Sequence, residues 1–327
     1  LREGVMIMID IESMGDIIHL AMSGEDGWGR WGNVVCRRSG DLIILNYTPK
    51  AIYDGSWSYF ERVSRGLIIN TKTGEVVARP FDKMFNWGEG GRRSGRHIVT
   101  VTEKVDGSLG ILYRDSMGYK IATRGSFDSE QALWATEHLN RNYKLDGLPD
   151  NLTLLFEIVY SGNRVVIDYK GAEALYLLAA RDRFTGEYLP LYPNVYELGI
   201  KYKFPLPRIY TFNNVMEVME RSQKLSGSEE GYVVEFSDGE RYKFKGDKYL
   251  ELHKLISGLS FKNTLEAVMN GDVERIRDQL PDEFLFVFDK WIREIDSIVN
   301  AKREEVKRAF DIAPRVVLTR KEFALWV

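Results

Sequence analysis

This chain of 327 residues has a single cysteine, Cys36, only four histidines and a formal net charge of just −3. One cysteine excludes an intramolecular disulfide and any zinc cage of several thiolates, and it points to a reducing compartment. His97, His138 and His253 are scattered along the chain and read as structural residues rather than a ligand set. The near balance of 45 basic and 48 acidic residues argues against a sequence-blind binder of polyanions, whose footprint is a basic domain. It leaves room for a local basic groove, because Arg92, Arg93, Arg96 and Lys104 cluster, as do Arg241, Lys243, Lys245 and Lys248. No run approaches the roughly 18 uninterrupted apolar residues of a membrane helix. No signal-peptide pattern is visible from Leu1 onward. The expectation is a cytoplasmic monomer with no membrane association. Internal repeats and low-complexity tracts are also lacking.

What is present is the texture of a folded protein, with 44% hydrophobic and 28% charged residues. The length fits one large domain and a smaller one. The first 50 residues mix short apolar stretches with glycine-rich breaks, and Asp41 to Leu45 reads as a strand. Trp28 and Trp31, set among glycines, are expected to pack at a loop edge rather than stack on a base. From Arg65 to Tyr249, short β-branched runs alternate with turn signals: 66–69, 75–78, 97–102, 109–113, 154–160, 175–180, 232–236 and 241–245. Asp238-Gly239 between the last two is a hairpin signal. Helices are predicted over 129–139, capped by Asp128, and over 213–225. After Tyr249 apolar residues recur at helical spacing, so 250 to about 312 reads as helical and its stripe as core. The expected fold is α+β to residue 250, with antiparallel sheets and flanking helices, followed by an all-α domain over 251–327.

The chemistry is concentrated in Lys104-Val105-Asp106-Gly107, followed by Ser108. Downstream come a strand with one carboxylate, Phe156-Glu157-Ile158-Val159, then Glu229-Glu230 opening an apolar strand, then Tyr242-Lys243-Phe244-Lys245. A lysine that attacks phosphorus must be uncharged, and at a pKa of about 10.4 only roughly one in a few thousand is neutral at pH 7. Lowering that value by ~3 units takes about 4 kcal/mol, which nearby cations and a bound metal can supply. Lys243 and Lys245 alternate with aromatic residues, so on a strand both face one side, where an anion such as a phosphate would relieve their repulsion. Glu230 is a candidate to hold a divalent metal. Glu157 lies in an apolar strand where an unpaired carboxylate is expensive. Its partner is open between a ribose hydroxyl, a metal, Lys104 and a structural salt bridge. KxDG alone is a weak signal. The ordered set of lysine, two acidic strands and a double-lysine strand is a strong one.

In that order these elements resemble the covalent nucleotidyltransferases, the superfamily of ATP-dependent ligases and mRNA capping enzymes. Within it the chain resembles the bacteriophage RNA ligase 1 family. The narrower likeness is carried by Arg65-Gly66 with Ala78 to Asn86 (ARPFDKMFN), by Arg124-Gly125-Ser126 with Ser129 to Leu133 (SEQAL), and by Asn163-Arg164-Val165-Val166. It covers about residues 60 to 254. The resemblance implies a nucleotidyltransferase domain, related to ATP-grasp-like ligases, over 1–250. It implies Lys104 as the adenylated nucleophile, Arg65 and Lys83 as triphosphate contacts, and Phe85 supporting them from the same loop. It further implies Glu157 at the ribose, Glu230 at the metal, Lys243 and Lys245 on phosphate, and Asp106 and Gly107 shaping the nucleophile loop. The family's third basic position is a lysine in the typical phage enzyme and Arg124 here. An arginine keeps a phosphate contact but makes proton transfer doubtful.

The expected activity is therefore ATP-dependent joining of RNA with 5′-phosphate and 3′-hydroxyl ends, in single strands or nicked loops, with Mg²⁺ or Mn²⁺. Lysyl-AMP and 5′-adenylated RNA would be the intermediates, and repair of RNA such as tRNA the setting. A DNA ligase or an mRNA guanylyltransferase shares the lysine motif but usually follows it with a small β-barrel, where this tail reads helical. A non-catalytic RNA-binding relative is the alternative outside enzymes.

Overall fold

In the computed structural model the described residues are 11–23, 32–89, 97–163, 166–167, 169–256, 259–280 and 282–312. Trp28, Trp31, Arg92, Arg93, Arg96, Arg164 and Val165 lie outside them. The chain divides into two compact units, Leu1–Ile256 and Ser257–Val327.

In chain order the first unit begins α1 (Met14–Met22), β1 (Val34–Ser39), β2 (Leu42–Tyr47), α2 (Pro49–Asp54), α3 (Tyr59–Val63), β3 (Arg65–Asn70) and β4 (Val76–Ala78). It continues β5 (Phe85–Asn86), β6 (Ile98–Glu103), β7 (Ser108–Asp115), β8 (Gly118–Ala122), α4 (Glu130–Asn142), β9 (Leu152–Val159) and β10 (Ala174–Asp182). It ends α5 (Tyr196–Tyr202), β11 (Ile209–Tyr210), α6 (Val215–Gln223), β12 (Gly231–Phe236), β13 (Arg241–Lys245) and α7 (Asp247–Ile256).

Three sheets result, ordered β1-β2-β3-β4, β10-β9-β7-β8 and β11-β6-β12-β13-β5. Every pairing is antiparallel except that of β5 with β13. The period-2 alternation of strands explains the layering. On β2 and β3, Ile43, Leu45, Leu67 and Ile69 pack with Ile17 of α1 and Phe60 of α3. The intervening Ile44 and Ile68 face Ile111 and Leu155 of the second sheet. That sheet's other face, with Leu112, Leu154, Phe156 and Leu177, packs with Ala135 and Leu139 of α4. The third sheet buries Val234, Tyr242 and Phe244 with Val218 of α6.

The nine predicted strands correspond to β2, β3, β4, β6, β7, β9, β10, β12 and β13, and the two predicted helices before Tyr249 to α4 and α6. Elements not anticipated are α1, β1, α2, α3, β5, β8, α5 and β11, mostly short or in the glycine-broken first 50 residues. One cap is corrected. Ser129, not Asp128, caps α4, because its Oγ accepts from the Ala132 N–H while Asp128 accepts from Ser126 Oγ at 2.7 Å. Such a cap contributes about 1 kcal/mol.

The second unit contains α8 (Phe261–Asn270), α9 (Val273–Gln279) and α10 (Asp282–Ile312). Among the described residues its buried side chains are Thr264, Ala267, Leu280, Leu285, Phe288 and Ile295. Of the expected apolar stripe, Phe288 and Ile295 are core, whereas Leu265, expected as core from its spacing, is exposed because α8 turns Thr264 and Ala267 inward instead. The division falls after α7 rather than at residue 250, because Tyr249 of α7 is tied into the first unit by a hydrogen bond to Asp106. Among the described residues no helix is long and apolar enough to cross a membrane.

Candidate active site

Three adjacent strands converge on Lys104. The chain leaves β6 at Glu103, and the Lys104 N–H still donates to the Gly231 carbonyl (2.9 Å), extending the ladder past the strand end. Gly231 in turn lies opposite Lys245 on β13. Lys104, Glu230 and Lys245 are thereby brought side by side. Lys104 Nζ lies 2.8 Å from Glu230 Oε1, and Lys245 Nζ lies 3.4 Å from the same oxygen. Glu230 is only 3% exposed, so its charge is supported by these two ammonium groups rather than by water. Position 231 admits no side chain. Its φ is +151°, and a Cβ there would run into the Phe244 carbonyl. Along β13, Tyr242 and Phe244 are buried in the third sheet's core, which puts Lys243 and Lys245 on the opposite face.

The loop after Lys104 is pinned by Asp106. Its Oδ2 accepts from the Val166 and Ile167 N–H groups (2.8 and 2.7 Å), and its Oδ1 accepts from Tyr249 Oη at 2.8 Å. The Asp106 N–H donates to Tyr169 Oη at 2.8 Å. Asp106 is thus anchored to protein donors on both carboxylate oxygens. Next to it, a Cβ on Gly107 would meet the Ile158 carbonyl and, at 3.1 Å, Glu157 Cγ. Glycine here allows the loop to lie directly on the Glu157 strand.

Glu157 pairs in register with Leu109 of β7 and so sits beside that loop. Its carboxyl keeps some contact with water, yet the surrounding protein pushes its pKa up to about 8. Burial is the main cause; Glu230 and Asp106 push the same way, while Lys104 and Arg65 oppose. Among the described residues Glu157 has no hydrogen-bond or ion-pair partner, so the structural salt bridge is not what this structure contains.

A second group of site residues gathers around Tyr47. Lys83, 3% exposed, holds its Nζ over the rings of Trp57 (4.8 Å), Tyr47 (5.4 Å) and Phe85 (5.5 Å). The Arg124 guanidinium lies over the same Tyr47 ring at 5.4 Å, and its Nη1 donates to Tyr47 Oη at 3.4 Å. Arg65 links the two groups. It acts electrostatically on Glu157, and its neighbour Gly66 lies against the Arg124 backbone. β5 carries Phe85 alongside Tyr242, which brings the Lys83 segment next to the double-lysine strand.

All eleven predicted site residues are therefore in one of these two groups or on the strand that joins them. Tyr47, Trp57, Tyr169 and Tyr249 were not anticipated. Tyr249 had a weak signal, lying four residues beyond Lys245. Tyr47 and Trp57 precede the stretch with recognisable motifs and carried none.

Chemically, the arrangement offers a primary amine, a carboxylate that bridges it to a second ammonium, and further cations nearby. That suits a polyphosphate brought against a nitrogen nucleophile. Among the described residues no three histidine, cysteine or acidic side chains cluster as a ready metal cage. Glu230 and Glu157 are two nearby carboxylates, and a magnesium-type ion typically takes one or two of these and completes its shell with water and substrate phosphates. The donor set fits such an ion when phosphate is also present.

A family profile described as RNA ligase matches residues 63–249. The chain is 30% identical over 301 residues to a proposed bifunctional polynucleotide kinase/RNA ligase of Autographa californica nuclear polyhedrosis virus, with 79% of this chain and 40% of that protein covered. It is 24% identical over 353 residues to the RNA ligase of Rhodothermus phage RM378, covering 85% of this chain and 77% of the phage protein. The chain thus spans well under two thirds of the viral relative's length. A Naegleria gruberi RNA ligase solved with PPi overlaps 49% of this chain and 52% of its own at 23% identity, with a TM-score of 0.41. An overlap that low adds nothing to the assignment.

Proposed function

Because the chain belongs to the RNA ligase family, we propose that it seals RNA ends with ATP, using Lys104 as its nucleophile. The observation that carries this reading is the meeting of Lys104, Glu230 and Lys245 at one carboxylate oxygen, with Glu157 beside the same loop. In the first step the Lys104 Nζ lone pair forms a bond to the α-phosphorus of ATP, and the bond from that phosphorus to the bridging oxygen breaks. Pyrophosphate leaves with the electron pair. In the second step a 5′-phosphate oxygen of the RNA bonds to the phosphorus of the lysyl-AMP, the phosphorus–nitrogen bond breaks, and Lys104 takes up a proton from solvent to depart as an amine, leaving a 5′–5′ pyrophosphate link. In the third, a 3′-hydroxyl attacks the RNA phosphorus, loses its proton and releases AMP.

The chain's residues serve these steps by position and charge, as is usual for phosphoryl transfer. Lys104 is held in an ammonium–carboxylate pair, so attack requires that pair to open and the amine to lose a proton. Lys243 and Lys245 would meet the α-phosphate as Lys104 turns toward it. Arg65, Lys83 and Arg124 would take the outer phosphates, and Glu157, which has no hydrogen-bond partner among the described residues, would hydrogen-bond a ribose hydroxyl. A divalent cation held by Glu230 and phosphate oxygens, Mg²⁺ or Mn²⁺, would supply charge neutralisation when bound. Asp106 and Gly107 would set the path of the loop that meets the nucleotide.

We read the fold of the first unit as a nucleotidyltransferase domain and the helical second unit as the module that selects RNA. The helices α7 to α10, following β13 directly, favour this reading over a DNA ligase or guanylyltransferase. The expected substrate is RNA with 5′-phosphate and 3′-hydroxyl ends, in an intracellular repair role. The test is mass spectrometry after incubation with ATP and magnesium. The natural protein should gain one AMP and Lys104→Ala none, while the variant still joins pre-adenylated RNA. An AMP adduct on Lys104→Ala would overturn the assignment.

A further inference from the structure

Arg241 opens β13 and stands on the same face as Lys243 and Lys245, yet it belongs to neither group of site residues. Its guanidinium reaches out of the third sheet. It lies over the Tyr188 ring at 4.0 Å and the Phe81 ring at 5.8 Å, while its Nη2 meets Glu235 Oε1 at 3.0 Å. Tyr188 bridges to Arg181 at the end of β10 and so belongs to the edge of the second sheet. Glu235 Oε2 in turn accepts from Thr100 Oγ1 (3.1 Å) on β6, the strand that leads to Lys104. With its charge met by Glu235 and its plane laid on a ring, the Arg241 side chain is only 11% exposed. That is the posture of a tie, not of a phosphate ligand.

The far end of the tie is the segment bearing Lys83. Tyr188 stacks on Phe81 (5.7 Å between ring centroids, 23° between planes), and its Oη accepts from the Asp82 N–H at 3.4 Å. Both residues before Lys83 are thus held by the ring on which Arg241 lies. Glu240, next to Arg241, reaches the same segment by a second route. It pairs with Arg62 Nη2 at 2.9 Å, and the Arg62 carbonyl accepts from the Lys83 N–H at 2.7 Å. Beyond Lys83, Phe85 and Asn86 pair with Tyr242 and Lys243. Lys83 therefore sits in a short span fixed to β13 at both ends, and Arg241 closes the end that precedes the β5 pairing.

A triphosphate that meets Lys83 with its outer groups and Lys243 and Lys245 with its α-phosphate needs those cations at a set spacing. We propose that Arg241 is the positioning residue that sets this spacing, by tying the double-lysine strand to the Lys83 segment through Tyr188. The inference rests on the reading of Lys83, Lys243 and Lys245 as contacts of the nucleotide phosphates.

The spacing matters while the outer phosphates are bound and ceases to matter once pyrophosphate has left. The test therefore compares, per folded molecule of the full chain, AMP-adduct formation from ATP with the sealing of pre-adenylated RNA. Calorimetric binding of inorganic tripolyphosphate is the third readout. Arg241→Ala should slow adduct formation and weaken tripolyphosphate binding by roughly ten- to a hundredfold, with sealing of pre-adenylated RNA nearly unchanged. Arg241→Lys keeps the charge but not the plane that lies on Tyr188, and should fall between the natural protein and Arg241→Ala. Tyr188→Leu should reproduce Arg241→Ala, and the double variant should be no worse than either alone, because the two side chains act as one tie. Equal losses in the two reactions, or none in either, overturn the positioning role. So does tripolyphosphate binding that the substitutions leave unchanged. A natural protein that forms no adduct, yet loses tripolyphosphate affinity on Arg241→Ala and on Tyr188→Leu, would instead sink the nucleotidyl-transfer reading and leave the tie standing.

Discussion

Asp82 and Glu230 are both carboxylates set among cations in the first unit, and they are built to opposite ends. Asp82 faces Arg181, which is buried and almost fully engaged. Its Nη1 reaches Asp82 Oδ1 (2.7 Å) and the Pro80 carbonyl, its Nη2 reaches Asp82 Oδ2 (3.3 Å), and its Nε reaches the Gly186 carbonyl (2.7 Å). The guanidinium also lies over the Tyr188 ring at 4.4 Å. Glu230 instead faces two lysines, each meeting the same single oxygen. Arginine's planar fork locks a geometry, while lysine is a point charge on a flexible stem that can exchange one anion for another. The difference separates a brace from a site. The brace ties the segment bearing Lys83 to β10, and the site keeps its charges ready to be redistributed when phosphate arrives.

Substitutions can break this comparison. The largest effect is expected from Glu230→Gln, which should slow AMP-adduct formation by at least about a hundredfold. Its loss of stability should be small beside its loss of activity, because the glutamine keeps an oxygen that both ammonium groups can still meet. Equal losses of stability and activity would show that Glu230 is a brace as well. Arg181→Ala should do the reverse, costing about 3 kcal/mol in denaturant unfolding, the low end for a broken buried pair because Asp82 keeps some water. Its activity per folded molecule should fall far less than that of Glu230→Gln, and a collapse of adduct formation without loss of stability would contradict the distinction.

Glu157→Gln sharpens it through pH. A carboxyl raised from its usual 4.5 to about 8 keeps its proton in the folded state after the unfolded chain has ionised. The native state then binds more protons, so the stability of the natural protein should decline as pH rises from 4.5 through 8. Below 4.5 both states are protonated and the contribution disappears. Glu157→Gln lacks this decline. Relative to the natural protein it should gain on the order of 1–2 kcal/mol by pH 8, well short of the full shift since the side chain keeps contact with water. Parallel stability curves for the two proteins between pH 5 and 9 would show that burial does not protonate this acid.

Much of the third sheet was legible in advance because strand periodicity and a hairpin signal at Asp238-Gly239 are local properties. The same alternation that marks β13 as a strand also puts Lys243 and Lys245 on one face. Legibility ended where partners are distant in sequence. The Asp106 anchor joins residues 60, 61 and 143 positions apart, and no local pattern announces it. The aromatic box draws Tyr47, Trp57 and Phe85 from three separate segments in the same way.

By itself the sequence determined which chemical groups exist and on which side of each strand they stand, because both follow from residue type and the two-residue repeat of extended backbone. Tertiary structure alone decided that Lys104 and Lys245 share one oxygen of Glu230, that Glu157 has no hydrogen-bond partner among the described residues, and that the Trp57 indole lies against Lys83. Those outcomes depend on distances between chain segments, set by how three sheets pack and not by any run of neighbouring residues.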